Sequence, residues 1–154
     1  MADHILESRI WLPRGREEVF PFFADPRNLA EVTPRRLGFR LLSAAPMPLE
    51  AGAVFDCRIR FLGIPLRWRT FIREYDPPFR FVDVQVRGPY ARWEHRHLFR
   101  AENAGTWVED RITYRLPLGP LGRLVHALVV RRQLDAIFAY RRLRLAQLFP
   151  HGNG

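Results

Sequence analysis

The chain contains no lysine: all 25 of its basic residues are arginine, against 16 acids, for a net charge of +9. A complete exchange of arginine for lysine has the pattern of a GC-rich coding bias. The arginines run from Arg9 to Arg144 and are not gathered into the one basic segment that marks a nucleic-acid binder. Nucleic acid is therefore not an expected partner, whereas transient contact with an anionic membrane surface is physically reasonable. Cysteine is almost missing as well. The lone Cys57 excludes an intramolecular disulfide and a cysteine metal cluster, and in an alternating apolar stretch it reads as a small core residue. No apolar run approaches the ~20 residues that a membrane-crossing helix needs. Met1-Ala2-Asp3-His4 does not open a secretory signal, so the expected location is the cytoplasm. Nucleophile elbows, phosphate-cradling glycine loops, repeats and low-complexity linkers are all lacking.

What is present fits a globular chain. Its 154 residues, 47% of them hydrophobic, suffice for one domain with a sizeable core. That domain is expected over residues 1–150, with 151–154 as a disordered tail. Aromatics reach 13%, and twelve of them are phenylalanine; so many rings point to a large core or an apolar cavity.

The apolar pattern divides the chain. Residues 4–12 read as a strand with Leu6, Ile10 and Leu12 on one side. A short helix over 15–24 is bent or cut short by Pro21. Asp25-Pro26 then starts a second, over 26–32, with aspartate as N-cap and proline first in the helix. From 39 to 117 the period becomes two. Strands are expected at 39–44, 53–62, 66–75, 79–87, 91–101 and 106–116, separated by Gly-, Pro- and Asn-bearing turns. Short connections make neighbours antiparallel. A helix over 121–149 closes the chain, with Leu121, Leu124, Val125, Leu128, Leu134, Ile137, Phe138, Leu145 and Leu148 as its buried stripe. Arg123, Arg132, Arg141 and Arg144 fall on the other positions. The expected class is α+β, in β-α-α-β6-α order: about seven antiparallel strands curved around a long C-terminal helix.

Alternation also assigns faces. Phe55, Cys57, Ile59 and Phe61 point inward, as do Leu66, Trp68, Thr70 and Ile72, then Trp93, His95, His97 and Phe99, then Val108, Asp110, Ile112 and Tyr114. The arginines between them form a solvated outer face. Strand 79–87 admits both phases. The favoured one turns Phe79, Phe81, Asp83 and Gln85 inward, with Asp83 opposite His95 and Gln85 opposite Trp93. Asp83, Gln85, Trp93, His95, His97, Asp110 and Tyr114 then gather beneath the helix, with Trp68 beside them. Two readings of this cluster stay open: a hydrogen-bonded network that stiffens the sheet, or a polar patch that orients a ligand in an apolar cavity.

Several segments carry a family resemblance: Val19-Phe20-Pro21-Phe22-Phe23-Ala24-Asp25-Pro26-Arg27-Asn28-Leu29 with Val32-Thr33-Pro34, then Phe81-Val82-Asp83-Val84-Gln85-Val86-Arg87-Gly88-Pro89-Tyr90 and Trp93-Glu94-His95-Arg96-His97, then Ile137-Phe138-Ala139-Tyr140-Arg141. The chain resembles bacterial ligand-binding proteins of the START/Bet v 1-like (SRPBCC) superfamily over nearly its whole length. The resemblance implies the helix-grip fold and a cavity between sheet and C-terminal helix. It implies no particular chemistry, since members bind lipids, sterols, polyketides and hormones and only some are enzymes.

The expected function is therefore binding or carriage of a small hydrophobic or amphipathic ligand, lipid-, polyketide- or aromatic-like, by a monomer or homodimer. The alternatives are a cyclase- or aromatase-like enzyme and a basic surface-binding protein. In the enzyme, His95, oriented by Asp83, is the general base and Tyr114 or Tyr140 donates to an enolate. His95 and His97 with Asp83 or Asp110 have ligand types that suit zinc or iron, but no third histidine is near in sequence. No metal and no cofactor are expected. Arg131 and Arg132 read as snorkelling side chains or as counter-charges for Asp135 or a ligand. Met47-Pro48-Leu49 and the Gly119, Pro120, Gly122 segment are candidate flexible entrances.

Overall fold

The computed structural model describes residues 3–43 and 49–151; Met47, Pro48 and the tail from 152 lie outside the described residues. Strand β1 (His4–Leu12) leads into helix α1 (Arg16–Phe23) and two 3-10 helices, Pro26–Val32 and Arg35–Leu37. The meander follows: β2 (Arg40–Leu41), β3 (Val54–Phe61), β4 (Ile64–Asp76), β5 (Arg80–Arg87), β6 (Arg92–Glu102) and β7 (Gly105–Arg115). The chain closes with α2 (Gly119–Val125), a π-helical turn (His126–Val130) and α3 (Arg131–Leu148). Among the described residues seven strands make one antiparallel sheet in the order β1-β7-β6-β5-β4-β3-β2, so the expected helix-grip architecture is the observed one.

The Asp25-Pro26 start works as anticipated, the Asp25 carboxylate accepting from the Arg27 amide at 3.0 Å. Strand β2 is shorter than the expected 39–44. The reason is local: the Ser43 hydroxyl accepts from the Asp56 amide at 2.8 Å, taking the donor that a regular ladder would give to a backbone carbonyl. Two register shifts break the β4–β5 ladder. The one between Ile72 and Glu74 changes the alternation, so Tyr75 packs with Ile72 on the inner side. The other leaves Val86 unopposed and exposed. Phe79, placed inside by the sequence, precedes β5 and is exposed beneath the Arg16 guanidinium. On the outer face Arg73, Arg92 and Arg96 close around Glu94 at 2.7–3.2 Å, so that face is knitted by ion pairs as well as solvated.

The C-terminal helix differs most from expectation. Its buried residues are Gly122, His126, Val130, Leu134, Phe138, Arg141 and Leu145. Four consecutive steps of four residues would drift around a regular helix of 3.6 residues per turn. The π turn at His126–Val130 holds the extra residue and keeps His126 and Val130 on the buried side. Leu121, Leu124 and Leu128, expected inside, are consequently exposed. Gly122 is required where it stands, because a Cβ there would lie 2.0 Å from the Pro117 carbonyl oxygen.

Candidate functional site

Between the inner sheet face and α3 lies a cavity of about 210 Å³. Its walls are apolar: Phe55, Ile59 and Trp68 from the sheet meet Leu134, Ile137 and Phe138 from the helix. Cys57 also faces it, but burial pushes the thiol up to about 12, so it is an inert wall residue. The aromatic rim is rigid, with Trp68 edge-on to Trp93 at 5.1 Å and Tyr90 4.8 Å from Trp93.

One end of the cavity is polar. Alternation places Asp83, His95, His97 and Asp110 on the inner face, and α3 brings Arg141 down onto them. His95 Nε2 lies 2.8 Å from Asp110 Oδ1 and His97 Nε2 lies 2.6 Å from Asp83 Oδ2. The two imidazoles stack at 3.7 Å, and Phe81 stacks on His97 at 4.0 Å. Arg141 donates to Asp110 Oδ1 at 3.3 Å while its guanidinium sits 5.1 Å over the Phe23 ring.

Burial opposes ionisation of Asp110, but the Arg141 charge and the hydrogen bond from His95 outweigh it, and its carboxyl is held below the usual range. Asp83 is likewise lowered: burial pushes it up, and the hydrogen bond and charge of His97 prevail. Burial and then the neighbouring His95 lower His97 to about 4, so His97 is neutral near pH 7 and its Nε2–H donates to Asp83. That tautomer leaves His97 Nδ1 as an acceptor, and it is buried without a partner among the described residues. Arg141 Nε, a donor, is in the same condition. Each such group costs about 1–3 kcal/mol.

The expected site residues divide into three groups. Trp68, Asp83, Trp93, His95 and His97 line the cavity. Asp110 stands behind the histidines, hydrogen-bonded to His95 and 3.5 Å from His97 Nδ1. Gln85 and Tyr114 do not line it. Gln85 is a turn clamp: its side chain accepts from the Tyr90 amide at 3.0 Å and donates to the Tyr90 carbonyl at 2.7 Å. Gln85→Ala is expected to destabilise the fold by about 1–2 kcal/mol, read by urea denaturation, with the cavity aromatics loosened. The Tyr114 hydroxyl is occupied by His126 Nε2 at 2.7 Å. The expected pairing of Asp83 with His95 is also corrected. They are opposite in register, yet each histidine reaches a different carboxylate. Arg141 was missed altogether, because an arginine among apolar helix residues reads as a surface residue. Arg131 pairs with Asp135 at 3.7 Å, both exposed.

Asp83, His95 and His97 bring metal-ligating atoms within 4.8 Å of one another. A dication bound there would have to break the His97–Asp83 hydrogen bond and stand near the Arg141 guanidinium, so the donor set as folded is committed to hydrogen bonding.

The model of the family described as polyketide cyclase / dehydrase and lipid transport matches residues 12–138. No curated protein matches the chain in sequence. Solved structures share its fold. TTHA0849 from Thermus thermophilus superposes with a TM-score of 0.71 at 19% identity, over 94% of this chain and 99% of that one. A START superfamily protein from Mycobacterium smegmatis gives 0.70 at 13%, over 94% and 99%. The di-domain ARO/CYC StfQ from the steffimycin biosynthetic pathway gives 0.71 at 19%, over 94% of this chain and 49% of that protein.

Proposed function

Because the chain belongs to the polyketide cyclase / dehydrase and lipid transport family, within the SRPBCC superfamily, we propose that it binds a small apolar ligand carrying a hydroxyl-type group. The observation that carries this reading is the contrast within one cavity. Its walls are apolar, and one end is lined by the polar side chains of Asp83, His95, His97 and Arg141. The second ring nitrogen of His95 makes no hydrogen bond among the described residues, and a hydroxyl, phenol or enol can pair with it in either direction. A carboxylate fits less well, since Asp110 already neutralises Arg141. Lipid-, polyketide- and aromatic-like ligands all remain in the class.

The test is a saturable probe. The apolar phenol 2-naphthol is expected to bind with one-to-one stoichiometry, and Ile59→Trp, which fills the cavity from a half-buried wall position, to weaken it roughly tenfold or more. Undiminished binding by a folded Ile59→Trp protein would sink the proposal. So would the absence of saturable binding by the unaltered protein.

One observation favours a second reading, acid–base catalysis on the same ligand class. His95 is fixed by a carboxylate through one nitrogen, and its other nitrogen makes no hydrogen bond among the described residues. That is the arrangement of an oriented general base. Asp110, not Asp83, is the orienting group in this version.

A further inference from the structure

The C-terminal helix is apolar on two sides. Gly122, His126, Val130 and Leu134 face the protein. Away from it, Leu118, Leu121, Leu124 and Leu128 are between 55% and 72% exposed, with Val129 also in solvent. Leu121, Leu124 and Leu128 stand at three-and-four spacing, so they form one ridge. Single exposed leucines are ordinary on a protein surface; a row of them on one helix marks an interaction face.

The charge beside the ridge is mainly positive. No aspartate or glutamate occurs between Leu118 and Leu134, where Arg123 and Arg132 are exposed, and the first acid beyond, Asp135, pairs with Arg131. In the antiparallel sheet β3 and β7 run the same way, so the turn after β3 lies at the sheet end where α2 begins. That turn adds exposed Leu62 and Ile64. The cavity residues Phe61 and Tyr90 lie at this end too.

We infer that this end docks on an anionic lipid surface, the leucine ridge entering the headgroup layer and the arginines meeting phosphates. A second copy of the chain fits less well, because it would oppose two ridges on which exposed arginines outnumber acids, in a chain of net charge +9. The inference is independent of what the cavity holds.

The experiment is vesicle co-sedimentation with the full chain. It compares pure phosphatidylcholine vesicles with mixed phosphatidylcholine and phosphatidylserine vesicles, at low and physiological salt. Binding is expected only to the mixed vesicles and is expected to weaken as salt rises. Leu121→Ser/Leu124→Ser/Leu128→Ser should reduce partitioning roughly tenfold or more. These side chains are exposed, so thermal unfolding and 2-naphthol binding should stay near those of the unaltered protein. Three outcomes would overturn the inference: no binding to mixed vesicles at low salt, equal binding by the triple variant, or a dimer in solution that the triple variant abolishes.

Discussion

Replacing Asp110 with alanine is expected to destabilise the fold by about 3–5 kcal/mol, among the largest losses from any single substitution in this chain. Asp110 is 5% exposed, accepts from His95 at 2.8 Å and from Arg141 at 3.3 Å, and lies 3.5 Å from His97 Nδ1. Alanine leaves the Arg141 guanidinium buried without its counter-charge and His95 without an acceptor, and the uncompensated buried charge accounts for most of the loss. The companion variant separates this from simple cavity creation. Asp110→Ala/Arg141→Met removes both charges, and it should recover a substantial part of the loss because an apolar side chain replaces the orphaned cation. Urea unfolding reads both. A loss below about 1 kcal/mol for Asp110→Ala would show water reaching the cluster, as it does for exposed ion pairs. The expected non-additivity would then be missing as well.

The same cluster shows what a sequence carries and what it does not. Strand faces are legible where the side-chain period of two is unambiguous, and His95, His97 and Asp110 fall on one face for that reason; strand 79–87 admits both phases, and Asp83 is turned inward only by its register opposite His95. Their pairing is not legible. Asp83 and His95 are opposite at the backbone, but an imidazole is long enough to reach a diagonal neighbour. Stacking of the two rings sends one histidine to each carboxylate. Arg141 is invisible for a different reason. Its partner Asp110 is 31 residues away on β7, and only the phase of the C-terminal helix decides whether it faces the sheet. That phase is set by the π turn at His126–Val130, for which the run His126-Ala127-Leu128-Val129-Val130 gives no signal. The same shift puts Leu121, Leu124 and Leu128 in solvent. Apolar periodicity located two apolar sides and could not say which of them the sheet would cover.

Stability is expected to fall steeply on acidification from about pH 6.5 to pH 4, and His97 is the residue that sets this window. A histidine in the unfolded chain titrates near 6.5, whereas in the fold burial and the neighbouring His95 lower His97 to about 4. Between those values the unfolded chain binds the proton and the folded chain does not, so each unit of acidification favours unfolding by about 1.4 kcal/mol. Over the window this comes to on the order of 3 kcal/mol. His126 is also lowered, by burial and by His4, and contributes in the same sense. The lowered carboxyls of Asp83 and Asp110 extend the loss to still lower pH, since their stabilisation disappears as they protonate. His97→Gln is less stable at neutral pH, having lost its tie to Asp83, but it should be flatter between pH 6.5 and 4 because glutamine does not titrate. The difference between the two unfolding profiles isolates His97 from His126 and the aspartates; parallel profiles would show that His97 is already protonated in the fold.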